Sequence, residues 1–320
     1  FWLKQFWLQI RAHSHPTSRV LLSQTCSCGC LEAMCSGEAT PHKPDSEARS
    51  GGPGGGPGGD VSPPAAKRLR MSLPPITVAP KPRAILGCLC IATDNVMPEE
   101  GPAFVSRLRG VELRIQKIRF DSETISADTF YRAAGDISEA ARQFMPAEAC
   151  SVLGLSCTSM SFTLGAELVD KQLRLASPGA NTTDMARAQL SALQALCVKR
   201  IALVTPYVEA VAASNVRMLE SGGLEVVSSA TMGLDRDELT TAVTPDCIAD
   251  WAAAVDCEEA EAVVVGCSAF RACGPNFIDS LEARLGKPVV TSTQAFLWSM
   301  LRTAGVNDSV EGYGRLLTKC

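Results

Sequence analysis

Two short stretches of matching design hold the residues best suited to chemistry. Gly154-Leu-Ser-Cys157-Thr158-Ser159 and Gly266-Cys267-Ser268 each end a hydrophobic run with a cysteine followed by hydroxyl residues. A thiol at a strand end, before a polar turn and a helix, is placed for a depressed pKa and nucleophilic or acid/base work. Backbone N–H groups of such a turn lack intrahelical partners and can hold a carboxylate, with Thr158, Ser159 and Ser268 as neighbouring donors. Either cysteine alone reads as a small buried hydrophobe. The recurrence of the same context turns both toward function.

The other candidates follow from what is missing. The three histidines are His13, His15 and His42, so none falls in the regular part of the chain. That excludes a Cys-His or Ser-His-Asp pair there and leaves acid/base work to Cys, Tyr, Asp, Glu or Lys. No G-x-x-x-x-G-K-[ST] loop is present, nor a G-x-G-x-x-G after the first strand, and no cofactor is expected. Tyr207, in Thr205-Pro-Tyr207, stands at a strand end where its hydroxyl could protonate or orient a substrate; the alternative is a packing tyrosine. Asn95, in Ala92-Thr-Asp-Asn95, could bind a carboxylate through its amide or simply serve as a turn or cap residue.

These residues need a frame that brings strand ends together. From Ala84 onward, apolar runs of strand length alternate with amphipathic runs of helix length, the signature of parallel sheets covered by helices. Strands are expected at 84–92, 112–120, 150–157, 200–206, 224–230, 261–267 and 288–292. Helices are expected at 98–109, 126–145, 184–198, 207–221, 245–255, 276–285 and 294–304, with Gly222-Gly223 and Gly286 at helix C-caps. The pair of strands at 84 and 201 is about 117 residues apart, and the two cysteine motifs are 110 apart. Two similar offsets imply a duplicated α/β unit. The fold expected is two pseudo-symmetric Rossmann-like lobes, with the site in the interlobe cleft outside the strand ends.

Composition sets the outer bounds. The chain has 320 residues, 46% of them hydrophobic, with a formal net charge of −4. That balance offers no electrostatic basis for nucleic acid or an anionic membrane as partner, and no run reaches the ~20 apolar residues of a membrane span. Fourteen cysteines, several within apolar runs and without disulfide or paired C-x-x-C spacing, fit a reducing compartment. Residues 1–82, with GGPGGGPGG at 51–59 and repeated prolines, read as a disordered extension. Within it, Cys26-Ser-Cys-Gly-Cys30 is too few ligands for tetrahedral zinc, and Lys67-Arg-Leu-Arg70 reads as a linker charge cluster rather than a nuclear signal. The acid-poor first thirty residues carry a minority reading as an organelle-targeting remnant. The chain opens on Phe1, and Met71 is a candidate start.

On ATDNVMPEE (92–100), GLSCTS (154–159), RIALVTPYVEAV (200–211), VVVGCSAF (263–270) and RLGKPVVTSTQAFLWSMLRTAG (284–305), the chain resembles the aspartate/glutamate racemase superfamily. Within it, the likeness is to the branch of maleate cis-trans isomerases and arylmalonate decarboxylases, over residues 83–317. The resemblance implies a cofactor-free site between two lobes, 83–198 plus 288–320 and 199–287, with the last strand and helix returning to the first lobe. It implies that Cys157 attacks an alkene to give a succinyl-type adduct, that the carbon–carbon bond rotates, and that Cys267 handles the proton. Tyr207 and Asn95 would hold carboxylates. Arylmalonate decarboxylases keep only the second cysteine, so Cys157 speaks against that reaction. Leu234-Asp-Arg-Asp237-Glu238 departs from the asparagine usual in this turn; Asp237 would repel a second carboxylate unless protonated or turned away, and Arg236 could compensate. The expected activity is isomerisation of maleate or a close dicarboxylate analogue. The alternatives are a two-cysteine racemase and a catalytically idle carboxylate-binding or ectoine-utilisation-type protein. A cytoplasmic homodimer or homotetramer is expected.

Overall fold

A computed structural model describes residues 74–122, 124–146 and 149–320. The readings made on residues 1–73, including the two cysteine and basic clusters, lie outside the described residues. Residues 74–82 form no helix or strand and are mostly exposed. Among the described residues no helix is long and apolar enough to cross a membrane.

The eight strands are β1 (Ala84–Ile91), β2 (Val111–Ile118), β3 (Val152–Leu155), β4 (Asn181–Asp184), β5 (Arg200–Tyr207), β6 (Glu225–Leu234), β7 (Ala262–Val265) and β8 (Val289–Thr291). They make two four-stranded sheets, ordered β2-β1-β3-β4 and β6-β5-β7-β8. All pairings are parallel. The second order repeats the first with each strand advanced by four, so the duplication expected from the spacing is the architecture. AILGCLCI of β1 and RIALVTPY of β5 lie inside their sheets and are buried nearly throughout. A strand covered on both faces needs such an unbroken apolar run. β2 and β6 lie at edges, and their mixed sequences are mostly half-buried.

The helices are α1 (Met97–Val105), α2 (Ala127–Ala133), α3 (Asp136–Ala141), α4 (Thr158–Leu164), α5 (Ala166–Ala176), α6 (Met185–Ala195), α7 (Glu209–Ser221), α8 (Asp237–Thr241), α9 (Pro245–Val255), α10 (Phe277–Leu285), α11 (Ser292–Thr303) and α12 (Gly314–Lys319). The single helix expected over 126–145 is two short ones, broken at Ala134-Gly135, where glycine is a poor helix former. The edge strand β4 had no counterpart in the expected list because Asn-Thr-Thr-Asp carries no apolar signal. Gly286 caps α10 in the left-handed region, as its position predicts.

The last strand does not return to the first lobe. β8 pairs with β7 as the outer strand of the second sheet, and the helix after it makes the return. α11 is buried without a break from Ser292 to Leu301 and packs against α6, β3, β4 and α1 as well as β8. A capping box starts it: Gln294 N donates to Thr291 Oγ1 (3.3 Å) and Thr291 N to Gln294 Oε1 (3.2 Å). Polar contacts then sew the lobes, with Gln189 Nε2 donating to Ser292 Oγ (2.8 Å) and Thr183 bonded to Ser299 (3.1 Å). One apolar cluster joins Leu86, Val152 and Met185 of the first half to Ile201, Val264 and Val290 of the second through Phe296, Leu297 and Met300.

Gly154 is the point where this return helix touches the first sheet. A Cβ there would lie 2.6 Å from the Phe296 ring. Gly154→Ala should therefore destabilise the protein by about 1–3 kcal/mol, read from the urea midpoint, with partial recovery when Phe296→Leu is added. An unchanged midpoint for the single variant would contradict the packing described.

Candidate active site

Every candidate group sits at or just past the carboxyl end of a parallel strand. Thr93, Asp94 and Asn95 follow β1, Cys157 follows β3, Tyr207 ends β5, Asp237 follows β6 and Cys267 follows β7. Because the two sheets repeat one order, β3 and β7 are equivalent strands, and their cysteines are equivalent positions.

The two thiols are buried, Cys157 at 3% and Cys267 at 5% exposure. They lie close enough for each other's charge to bear on their ionisation. Cys157 has extended backbone (φ −151°, ψ 113°) and immediately precedes α4. Its Sγ is 3.7 Å from Ser159 Oγ, and the N–H of Met160 also favours its thiolate. Cys267 Sγ accepts from the N–H of Ala269 at 3.4 Å. These donors do not prevail. Burial, joined by the negative charge of Asp237, pushes both thiols above their usual range. The depressed pKa expected of a strand-end cysteine is thus reversed here, because loss of water outweighs the N–H groups of one turn.

Tyr207 is 5% exposed. Its hydroxyl lies beside the Cys267 sulfur, where it favours the thiolate, yet it has no well-formed hydrogen bond. Burial and the neighbouring thiols push its own pKa far up, so it stays protonated and keeps a proton to donate. Phe162 of α4 fixes the ring from the first lobe, edge to face at 6.2 Å between centroids.

Two carboxylates share the gap. Asp237 Oδ2 accepts from Thr93 Oγ1 at 2.6 Å, across the lobes. Burial raises its pKa, against the Thr93 hydrogen bond and the charge of Lys117. Asp94 is wholly buried. Its Oδ1 accepts from the N–H of Val96 (2.9 Å) and Met97 (3.0 Å), which fixes the turn into α1. Its Oδ2 has no hydrogen bond of good geometry, although Ser268 lies alongside. Burial pushes Asp94 up to about 6, with the charge of Asp237 acting in the same sense.

The structure brings Cys157, Ser159, Tyr207, Asp237, Cys267 and Ser268 together and leaves two candidates aside. Asn95 is exposed, and its Oδ1 accepts from Lys117 Nζ (3.1 Å) on the outer side of the turn. Thr158 turns its hydroxyl toward Met185 Sδ (3.3 Å), into the core. Asp94 is the residue sequence reasoning missed. The usable signal was an aspartate two and three positions ahead of Val96 and Met97, the spacing of a side chain that caps the next turn. Arg236 lies near Asp235, half-exposed. A groove of about 770 Å³ between α2, α4 and α7 lies next door and is lined by Phe162, but neither thiol lines it.

Two repeated parallel α/β halves, each with a buried cysteine at the equivalent strand end, define a duplicated two-lobed α/β protein with its candidate site between the halves. The family model of arylmalonate decarboxylase matches residues 92–317, and the chain belongs to that family of enzymes. It is 27% identical to maleate isomerase of Nocardia farcinica over 237 residues, 72% of this chain and 94% of that one. To arylmalonate decarboxylase of Bordetella bronchiseptica it is 32% identical over 178 residues, 53% and 72% of the two chains. The crystal structure of the maleate isomerase Iso from Pseudomonas putida shares the fold, with a TM-score of 0.67 and 22% identity over 74% of this chain and 98% of that one. Of similar likeness is a mutant Nocardia farcinica maleate cis-trans isomerase with a covalently bound succinylcysteine intermediate, at TM-score 0.67 and 22% identity over 74% and 99%.

Asp94 gives a pH test of this site. Its folded pKa of about 6 lies above its usual 3.8, so between those values the native state holds a proton that the unfolded chain has lost. Stability from this group therefore falls as pH rises from about 4 to 6, by up to about 3 kcal/mol. Asp94→Asn keeps the Oδ1 acceptor and should lack that component. The difference in urea unfolding free energy between variant and wild type should thus shift in favour of the variant from pH 4 to pH 7. A pH-independent difference would contradict the buried, raised carboxyl.

Proposed function

We propose that the chain is a cofactor-independent cis-trans isomerase of a maleate-type cis-alkene acid, working through a covalent adduct on Cys157. The observation that carries this reading is the pair of buried thiols at equivalent strand ends, with the Tyr207 hydroxyl beside the second. A decarboxylation needs one thiol to protonate the carbanion left by departing carbon dioxide. It gives a second facing thiol no task.

The chemistry follows from the placement. Cys157 sulfur adds to one alkene carbon, and the π electrons move onto the adjacent carbon, stabilised by its carboxyl group. Cys267 delivers its proton to that carbon, with Tyr207 donating toward the thiolate left behind. The former double bond is now single and rotates. Cys267 takes the proton back, the carbon–sulfur bond breaks, Cys157 leaves as thiolate, and the trans alkene is released. Backbone N–H groups after Cys157 and Cys267, with Ser159 and Ser268, are the donors for a substrate carboxylate.

The raised thiol pKa values add a condition. The thiolate must be generated inside the closed gap, with Asp237 or Asp94 as the available proton acceptors. In this reading the carboxylates are part of the machinery, and dry surroundings make the thiolate, once formed, strongly nucleophilic.

A proton NMR time course with maleate and its monoamide, maleamate, tests the reading. Wild type should convert at least one to the trans isomer. Cys157→Ala should lower kcat by 10³-fold or more, while Cys267→Ser should retain a weak activity. Full activity in Cys157→Ala would refute covalent catalysis by that residue.

A further inference from the structure

The cleft is acidic at one end, and that bears on which substrate it takes. Asp237 reaches from the second lobe to Thr93 of the first (2.6 Å). Asp94, in the same turn as Thr93, is fully buried, with Oδ2 unpartnered and Ser268 alongside. Both carboxylates bear electrostatically on Cys157, and Asp237 bears also on Cys267 and Tyr207. The charge of Lys117 reaches Asp237, but the side-chain contacts of the nearby cations lie outside the gap. Lys117 Nζ donates to Asn95 Oδ1 and to the carbonyls of Ala92 and Asp94, on the outside of the turn. Arg236 is half-exposed beside Asp235. Among the described residues no ammonium or guanidinium is buried with the thiols.

Resting on the isomerase reading, we propose that Asp237 selects the far end of the substrate, so that the enzyme acts on a cis-alkene with one carboxylate and one neutral carboxamide rather than on a dicarboxylate. One carboxylate is met by the backbone N–H groups and hydroxyls after Cys157 and Cys267. A second would face Asp237 and Asp94 at close range in a water-poor gap, where like charges repel strongly. A carboxamide reverses that contact, because its N–H₂ donates to an aspartate oxygen. The choice of amide over ammonium follows from the chemistry. An amide is conjugated with the alkene and takes up the electrons when sulfur adds, whereas an ammonium sits on a saturated carbon and cannot. Atoms balance as before: one carbon–sulfur and one carbon–hydrogen bond form, the bond between the alkene carbons rotates, and both new bonds break.

The test compares kcat/KM for maleamate and maleate in wild type and in Asp237→Asn. Wild type should prefer maleamate by tenfold or more, and Asp237→Asn should shift that ratio tenfold or more toward maleate, both through an adduct on Cys157. Wild type using maleate as well as or better than maleamate would overturn the proposal while leaving the isomerase reading intact. An unchanged ratio in a folded, active Asp237→Asn protein would do the same; if that variant does not fold or does not turn over either compound, the wild-type ratio decides. Absence of turnover and of any Cys157 adduct with both compounds would overturn the isomerase reading and the proposal with it.

Discussion

Two buried thiols, the buried Asp94 and the half-buried Asp237 share one gap, and among the described residues no cation is buried with them. That crowding is the constraint the rest of the molecule has to sustain. Each group is driven toward its neutral form, the thiols and Tyr207 upward and Asp94 up to about 6. Two neutral thiols beside two carboxylates can be kept together at a cost the fold can bear, whereas four anions could not. Thiolate chemistry then starts from protonated cysteines beside carboxylates and must move protons within the gap.

Holding the groups at that distance falls to the lobe contacts. The capped helix α11 runs from the second sheet back over the first, and α6 meets it, so that each sheet supports the last helix of the other. Nearer the site the fasteners are Thr93 with Asp237, the N–H of Ile125 with the carbonyl of Asp235 (3.0 Å), and Phe162 with Tyr207. On the opposite side Arg271 pairs with Glu99, and the N–H of Cys273 donates to Glu100 (3.1 Å). These last contacts link α1 of the first lobe to the segment that follows Cys267. A shift of one lobe against the other would disturb both thiols together.

Much of this was legible from residue order alone. Buried parallel strands announce themselves as unbroken apolar runs, and β1, β5 and β7 do so. Similar offsets, about 117 residues between the strands at 84 and 201 and 110 between the cysteine motifs, exposed the duplication, and Gly286 marked a helix end. What escaped had a physical cause in each case. β4 is a polar edge strand without hydrophobic signal, and the pairing of β8 depends on which sheet has a free edge, which one chain segment does not encode. Asn95 and Asp94 are neighbours with similar local preferences, and only tertiary burial decides which faces the gap. The sign of the thiol shifts likewise depends on solvent exclusion and on Asp237, more than 70 residues from Cys157 in the chain.

The central claim is that Cys157 becomes covalently bonded to substrate while Cys267 manages the proton. Its most direct test is to incubate Cys267→Ser protein with maleamate and with maleate, quench in acid, digest, and map the peptides by mass spectrometry. The mechanism predicts the mass of one added substrate molecule on the Cys157 peptide, and no such mass on that peptide in Cys157→Ala. Active protein with an unmodified Cys157, or with modification confined to exposed Cys197, would contradict it.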